Sequence, residues 1–273
     1  MNNKADQDAM VEYPHVESAV RKLPHPVIAG MQKFPYKAVV AGGFLRAISC
    51  GSNPVSDIDV FVVAQDSAEK VTTILGFLAA MQEDRWTKRD QRWVVTKNAV
   101  TTVVEERVVQ VIRGFPFSSP GAILRSFDLT ISKAAIWMQG AVNDTHRADG
   151  LCGQSFLRDI CQRRIRYLSD GSSGIDPINT AKRICKFIRQ GFTISPEDLV
   201  EFMALSWTSF GSKSSVNDMI ASLESAKLDD YGNPVVSLRP VGTDKLTEGD
   251  GKDVKSFRNF SDVEKELLTC PSL

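Results

Sequence analysis

The sequence predicts an α/β (α+β) fold. A domain with a mixed sheet is expected over residues 1–148, a small helical domain over 149–228 and a loosely ordered tail over 229–273. Three observations carry this. An apolar strand at 37–41 runs directly into a glycine pair and a helix, and a second strand follows at 57–63. Three β-rich segments between 92 and 113 are separated by short turns. Beyond 148 the composition changes to segments with helical spacing, and from 229 no periodicity is sustained.

Residues 16–33 read as helix interrupted at Pro24 and Pro26. KAVVA (37–41) is a short apolar strand, Gly42-Gly43 a turn, and FLRAISC (44–50) a helix. DIDVFVV (57–63) starts with alternating polar and apolar residues, as a half-buried strand does. Residues 67–82 form an amphipathic helix. RWVVT (92–96), VTTVV (100–104) and RVVQVIR (107–113) read as an antiparallel meander. Ser118-Ser119-Pro120 starts a helix, with serine as cap and proline in the first turn, and 128–137 (DLTISKAAIW) reads as strand. Helices follow at 154–168, 177–191 and 196–208, with a short one at 261–268.

No apolar run reaches membrane-spanning length, and the acidic, polar start lacks a signal core, so a protein of the cytoplasm is expected. The five cysteines are scattered without a CxxC pair, which argues against a disulfide scaffold or a zinc site. His15, His25 and His146 lie far apart and receive no metal role. Formal net charge is zero, yet residues 158–190 carry eight basic against three acidic residues. Such a patch suits phosphate groups, and equally a solvated helical face.

Chemistry concentrates in AGGFLRAISCGSNPVSDIDVFVV (41–63). On a strand Asp57 and Asp59 share one face, with Ile58 and Val60 on the other. Two carboxylates so close repel each other, and a hard cation such as Mg²⁺ or Mn²⁺ relieves that repulsion. Gly42-Gly43 lets backbone approach a phosphate, whereas the GxGxxG and GxxxxGK[ST] loops are absent. A lone DxD or a lone GG is weak; their order and spacing is the stronger signal. On the helix at 178–190, Ala181, Ile184, Cys185 and Ile188 make a core stripe, and Lys182, Lys186 and Arg189 share another face that is either solvated or phosphate-contacting.

AGGFLR…SDIDVFV resembles the GG-helix-DxD signature of the nucleotidyltransferase (DNA polymerase beta) superfamily, and is most similar to the tRNA nucleotidyltransferase (CCA-adding) subgroup and related phage-encoded proteins. SFDLTISKAAI (126–136) resembles that subgroup's RRDFTINAMA strand and aligns Asp128 with its acidic position. The resemblance covers about the first two thirds of the chain. It implies a nucleotidyltransferase-fold domain in which Asp57, Asp59 and Asp128 hold two Mg²⁺ or Mn²⁺ ions. Gly42 and Gly43 would hold the leaving phosphates of an NTP. Arg46 would pair with a nucleotide phosphate or with a nearby carboxylate, Lys182 and Lys186 would contact nucleotide, and the expected acceptor is a hydroxyl of RNA, such as a tRNA 3′ end. A phage-encoded relative would work in the host cytoplasm.

The sequence also departs from the subgroup. Ala47 stands where an acid usually follows the arginine, Arg125-Ser126-Phe127 replaces the double arginine, and the EDxxR motif has no counterpart; LRDICQRR (157–164) offers Asp159 and Arg163 at another spacing. Two alternatives therefore stand beside RNA modification: a transferase acting on a protein or small molecule, and a binding module that has lost activity.

Overall fold

The structure is a computed structural model that describes residues 8–52, 57–83, 92–114, 117–140, 147–168, 177–210 and 255–269. It divides into two compact units. One comprises Met10–Leu124, Ala134–Cys152 and Lys245–Leu273; the other comprises Met1–Ala9, Arg125–Lys133 and Gly153–Asp244. The expected division was sequential, at 148 and 229. The units instead interleave, because the chain leaves the sheet at 125, returns at 134 and returns again near its end.

The sheet unit begins with β1 (Met10–Glu12), α1 (Val16–Val20) and α2 (His25–Lys33). The expected interruption is real: Pro24 takes an extended conformation (ψ 142°) and Pro26 sits in the first turn of α2, where its missing N–H is not needed. Then come β2 (Ala38–Ala41), α3 (Gly43–Ser49), β3 (Ile58–Val62), α4 (Ser67–Glu83), β4 (Trp93–Val95), β5 (Ala99–Val104), β6 (Arg107–Ile112) and α5 (Pro120–Ser126). Ser119 caps α5, its Oγ accepting the Ala122 N–H at 3.1 Å. Helices α2 and α4 press together where the Phe77 ring covers Gly30 and the Phe34 ring covers Gly76, leaving no room for a Cβ at either glycine.

After α5 a 3₁₀ turn (Thr130–Ser132) precedes β7 (Ala134–Met138), with β8 (Ala148–Gly153) beyond it. Residues 128–137, expected as one strand, are therefore strand only from 134. Thr130 and Ile131 are β-branched and favour strand, yet the turn closes through Ser132 N to Leu129 O at 3.0 Å. The nine-stranded sheet runs β1-β8-β7-β2-β3-β6-β5-β4-β11, where β11 is Lys255–Phe257. It is mixed: β3 and β6 are parallel, and β2 is antiparallel to both β3 and β7. The meander β4–β5–β6 is antiparallel, as expected. The chain end is not wholly loose. β11 adds to β4, and α9 (Phe260–Thr269) brings Phe260 to 5.8 Å from the ring of the fully buried Trp93. Residues 229–254 of the expected tail, with Trp86 and His146, lie outside the described residues.

The helical unit holds α6 (Gln154–Cys161), β9 (Arg164–Ile165), α7 (Pro177–Arg189), β10 (Thr193–Ile194) and α8 (Pro196–Phe210). The helix expected at 154–168 stops at 161, since Arg163 adopts φ 52° and β9 pairs with β10. On α7 the buried stripe is Ala181, Ile184 and Phe187, whereas Ile188, expected inside, is 47% exposed. Among the described residues no helix is long and apolar enough to cross a membrane.

Candidate functional site

On β3 the side chains of Ile58, Val60 and Val62 are buried, while Asp59 and Phe61 on the other face are partly exposed. Asp57, just before the strand, is also partly exposed and falls on the Asp59 side. The antiparallel register pairs Ala41 with Asp59. β2 ends at Ala41, so Gly42 follows directly on the residue paired with Asp59, and Gly43 opens α3. The glycine turn and the carboxylate pair thus share one end of the sheet. Gly42 has φ 87° and ψ −131°, backbone that only glycine adopts without strain. Its N–H donates to Ala134 O at 3.0 Å and its carbonyl accepts the Arg46 N–H at 3.1 Å. On the other flank β6 runs parallel with Gln110 beside Asp59, and Gln110 Nε2 donates to Asp57 Oδ2 at 3.2 Å.

Two arginines complete the electrostatics. Arg46 on α3 is 5% exposed, and burial pushes its guanidinium down to about 10, opposed by Cys50 and then Asp59. Arg107 on β6 is likewise pushed down by burial and held up by Asp57; its guanidinium lies 5.8 Å from the Phe44 ring centre. Asp57 and Asp59 offer hard oxygen donors at partly exposed positions. That suits Mg²⁺ or Mn²⁺, because such ions keep several waters and need carboxylates that solvent can reach. Within either unit, among the described residues, no three His, Cys, Asp or Glu side chains gather as a metal cluster.

The other unit contains Asp128, which is 1% exposed and precedes the 3₁₀ turn. Its Oδ2 accepts from Arg183 Nη2 at 2.7 Å and from the Thr180 hydroxyl, both on α7. Arg183 and Thr180 carry no motif and were not anticipated. The arginines of the basic stretch are drawn inward too: Arg166 pairs with Asp159 at 2.8 Å, and Arg164 with Asp198 at 3.2 Å. Arg163 donates to Gln190 O at 3.1 Å, so Asp159 is partnered by Arg166 rather than Arg163. Lys182 and Lys186 on α7 are partly exposed.

Residues 16–163, more than half of the chain, match the Gabija anti-defense 2 family. The chain belongs to this family. No curated protein sequence matches it. Among solved structures, this Gabija anti-defense 2 family member is similar to a Thermotoga maritima CCA-adding enzyme complexed with tRNA (14% identity, 82% of this chain, 52% of that one, TM-score 0.44). It is also similar to a CCA-adding enzyme with ATP (16% identity, 77% and 50% coverage, TM-score 0.48). A third is the Bacillus stearothermophilus CCA-adding enzyme with CTP (15% identity, 74% and 49% coverage, TM-score 0.42). The chain spans about half the length of these enzymes.

Proposed function

We propose that this family member is a nucleotidyltransferase that moves a nucleoside monophosphate from an NTP to a hydroxyl and releases pyrophosphate. The observation that carries the reading is the register of β2 on β3, which pairs Ala41 with Asp59 so that a turn of glycine-only geometry follows at the Asp57/Asp59 end of the sheet. Asp57 and Asp59 would hold Mg²⁺ or Mn²⁺, which would supply charge neutralisation at the phosphates and activation of the acceptor hydroxyl.

The chain's own residues do the rest. Gln110 fixes the Asp57 carboxylate through Oδ2. Arg46 acts on Asp59 rather than on phosphate, since its guanidinium is buried. The Gly42 amide is engaged by Ala134, so the Gly43 amide, at the opening of α3, faces the leaving phosphates. Asp128 is given no metal here, because its carboxylate is buried and already paired.

The family description supports, as the acceptor in this reading, a hydroxyl on a component of the Gabija defence, met in the cytoplasm of a host cell. An RNA acceptor has less support than the basic stretch implied, since Arg163, Arg164, Arg166 and Arg183 bond within the unit. A second reading is a nucleotide-binding module without transfer. It is favoured by the guanidinium charges of Arg46 and Arg107 on Asp59 and Asp57, which offset the carboxylates without a metal. The test is incubation with each of the four NTPs labelled at the α-phosphate, Mg²⁺ or Mn²⁺, and either RNA, purified Gabija proteins or the chain alone. Label on an acceptor that is lost in Asp57→Asn/Asp59→Asn supports transfer and names the acceptor. NTP binding without label on any acceptor supports the binding module.

A further inference from the structure

β6 begins on a constrained turn. Val104 and Arg107 pair across a two-residue loop in which Glu105 and Glu106 take φ 47° and 63°. A loop this short asks for left-handed backbone at both positions, and glutamate adopts it only where the surrounding strands hold it there. The first residue of β6, Arg107, is thereby fixed in place. The Glu105 carboxylate is engaged by α2, accepting the His25 N–H at 3.4 Å. Arg107 is partly exposed, and its guanidinium carbon lies 5.8 Å from the centre of the fully buried Phe44 ring. Phe44 is the second residue of α3 and directly follows Gly42-Gly43, so a ring held in the core clamps the guanidinium at the start of that helix. The same strand meets the carboxylates. Gln110, three residues along β6, lies beside Asp59 and donates to Asp57 Oδ2 at 3.2 Å. Arg107 thus stands at the end of the sheet that carries both the glycine turn and the Asp57/Asp59 pair. Arg46, by contrast, is buried and presents no fork to a ligand.

We infer that Arg107 is the polyphosphate anchor of this site: its guanidinium, clamped on Phe44 beside the glycine turn, takes the β- and γ-phosphates of a triphosphate bound with a divalent ion at Asp57 and Asp59. This rests on the proposed metal site at Asp57 and Asp59. The charges say why the two ligands belong together. The formal charges of Asp57, Asp59, Arg46 and Arg107 cancel, so a divalent ion alone leaves two uncompensated positive charges in partly buried surroundings. A triphosphate brings the compensating charge. A guanidinium suits it because its planar fork holds two phosphate oxygens at once. Ion and polyphosphate therefore bind with positive coupling, and Arg107 opposes the first by charge while it holds the second. A monophosphate lacks the β- and γ-phosphates and gains nothing from Arg107.

The experiment compares the full chain with its Arg107→Met variant in two titrations. Mn²⁺ alone is followed by electron paramagnetic resonance. Inorganic tripolyphosphate, which carries the phosphates without a base, is followed by calorimetry in excess Mg²⁺, with inorganic monophosphate as control. Arg107→Met is expected to weaken tripolyphosphate binding about tenfold or more, the loss of one charge-assisted pair. Mn²⁺ alone should bind it as tightly as wild type or tighter, because a competing positive charge is gone. Tripolyphosphate binding unchanged in Arg107→Met overturns the inference. A parallel loss of Mn²⁺ binding does so too, since it marks Arg107 as structural. Where Arg107→Met alters the far-UV spectrum, Arg107→Gln repeats the test with the same outcomes. A wild type that binds Mn²⁺ but no tripolyphosphate overturns the anchor and spares the metal site. Mn²⁺ binding that is absent from wild type, or unchanged in Asp57→Asn/Asp59→Asn, overturns the metal site itself.

Discussion

Replacing Arg183 by methionine removes the guanidinium that binds Asp128 and leaves the 1% exposed carboxylate to the Thr180 hydroxyl. Stripping one partner from a fully buried ion pair costs about 3–5 kcal/mol, because a charge is left without compensation. Two features reduce that here: the Arg183 side chain is itself 37% exposed, and the Thr180 hydroxyl still donates to Oδ2. A cost of about 2 kcal/mol results, or roughly a 4–8 °C fall in Tm at about 2–4 °C per kcal/mol for a chain of this size. Far-UV circular dichroism is the suitable signal, since Asp128 and Arg183 belong to the helical unit. Lys182→Met on the same helix serves as control and should stay within about 0.5 kcal/mol of wild type, since Lys182 is partly exposed and strands no buried charge. In Asp128→Asn the Arg183→Met change should cost much less, because no charge is then stranded. Arg183→Met melting with its Lys182→Met control, or costing the same in both backgrounds, would refute the pairing as the source of the effect.

Three further outcomes follow from the same geometry. Gly42→Ala forces a Cβ into φ 87° and should destabilise by about 1–3 kcal/mol, whereas Gly43→Ala should leave the urea midpoint near wild type while weakening NTP binding. Tyr13 donates to Leu45 O at 3.1 Å, and burial raises its hydroxyl from 10.0 to about 12, so it stays neutral while the unfolded phenol ionises. Stability should therefore drop as pH rises from 10.0 toward 12, and Tyr13→Phe should remove this share of the loss at a cost of about 1 kcal/mol at neutral pH. Deleting residues 255–273 strips β11 from β4 and Phe260 from Trp93, and should red-shift tryptophan emission; an unshifted spectrum would contradict that packing.

The glycine turn and the aspartate pair were legible because both signals are local. Alternation placed Asp57 and Asp59 together, and Gly42-Gly43 after an apolar strand marked a turn that other residues resist. Register was not legible, yet it is what pairs Ala41, next to the turn, with Asp59. The segment around Asp128 misled because DLTIS has strand composition, while its backbone closes a turn that a distant helix completes. Arg183 lies 55 residues from Asp128, and Asp198 lies 34 from Arg164, so a positive charge count in 158–190 gave no hint of its internal partners. β8 (ADGLCG) carries two glycines and an aspartate, and only its pairing with β7 makes it strand. Gln110 was visible as the polar residue of RVVQVIR, without a reason to weigh it until β6 settled beside β3.

The central claim, nucleotidyl transfer at Asp57 and Asp59, is tested most directly by comparing one NTP labelled at the α-phosphate with the same NTP labelled at the γ-phosphate. With the acceptor and Mg²⁺ present, α-label should become covalently attached while γ-label leaves entirely as pyrophosphate, and both signals should vanish in Asp57→Asn/Asp59→Asn. Attachment of γ-label, or α-label transfer that persists in that variant, would contradict it.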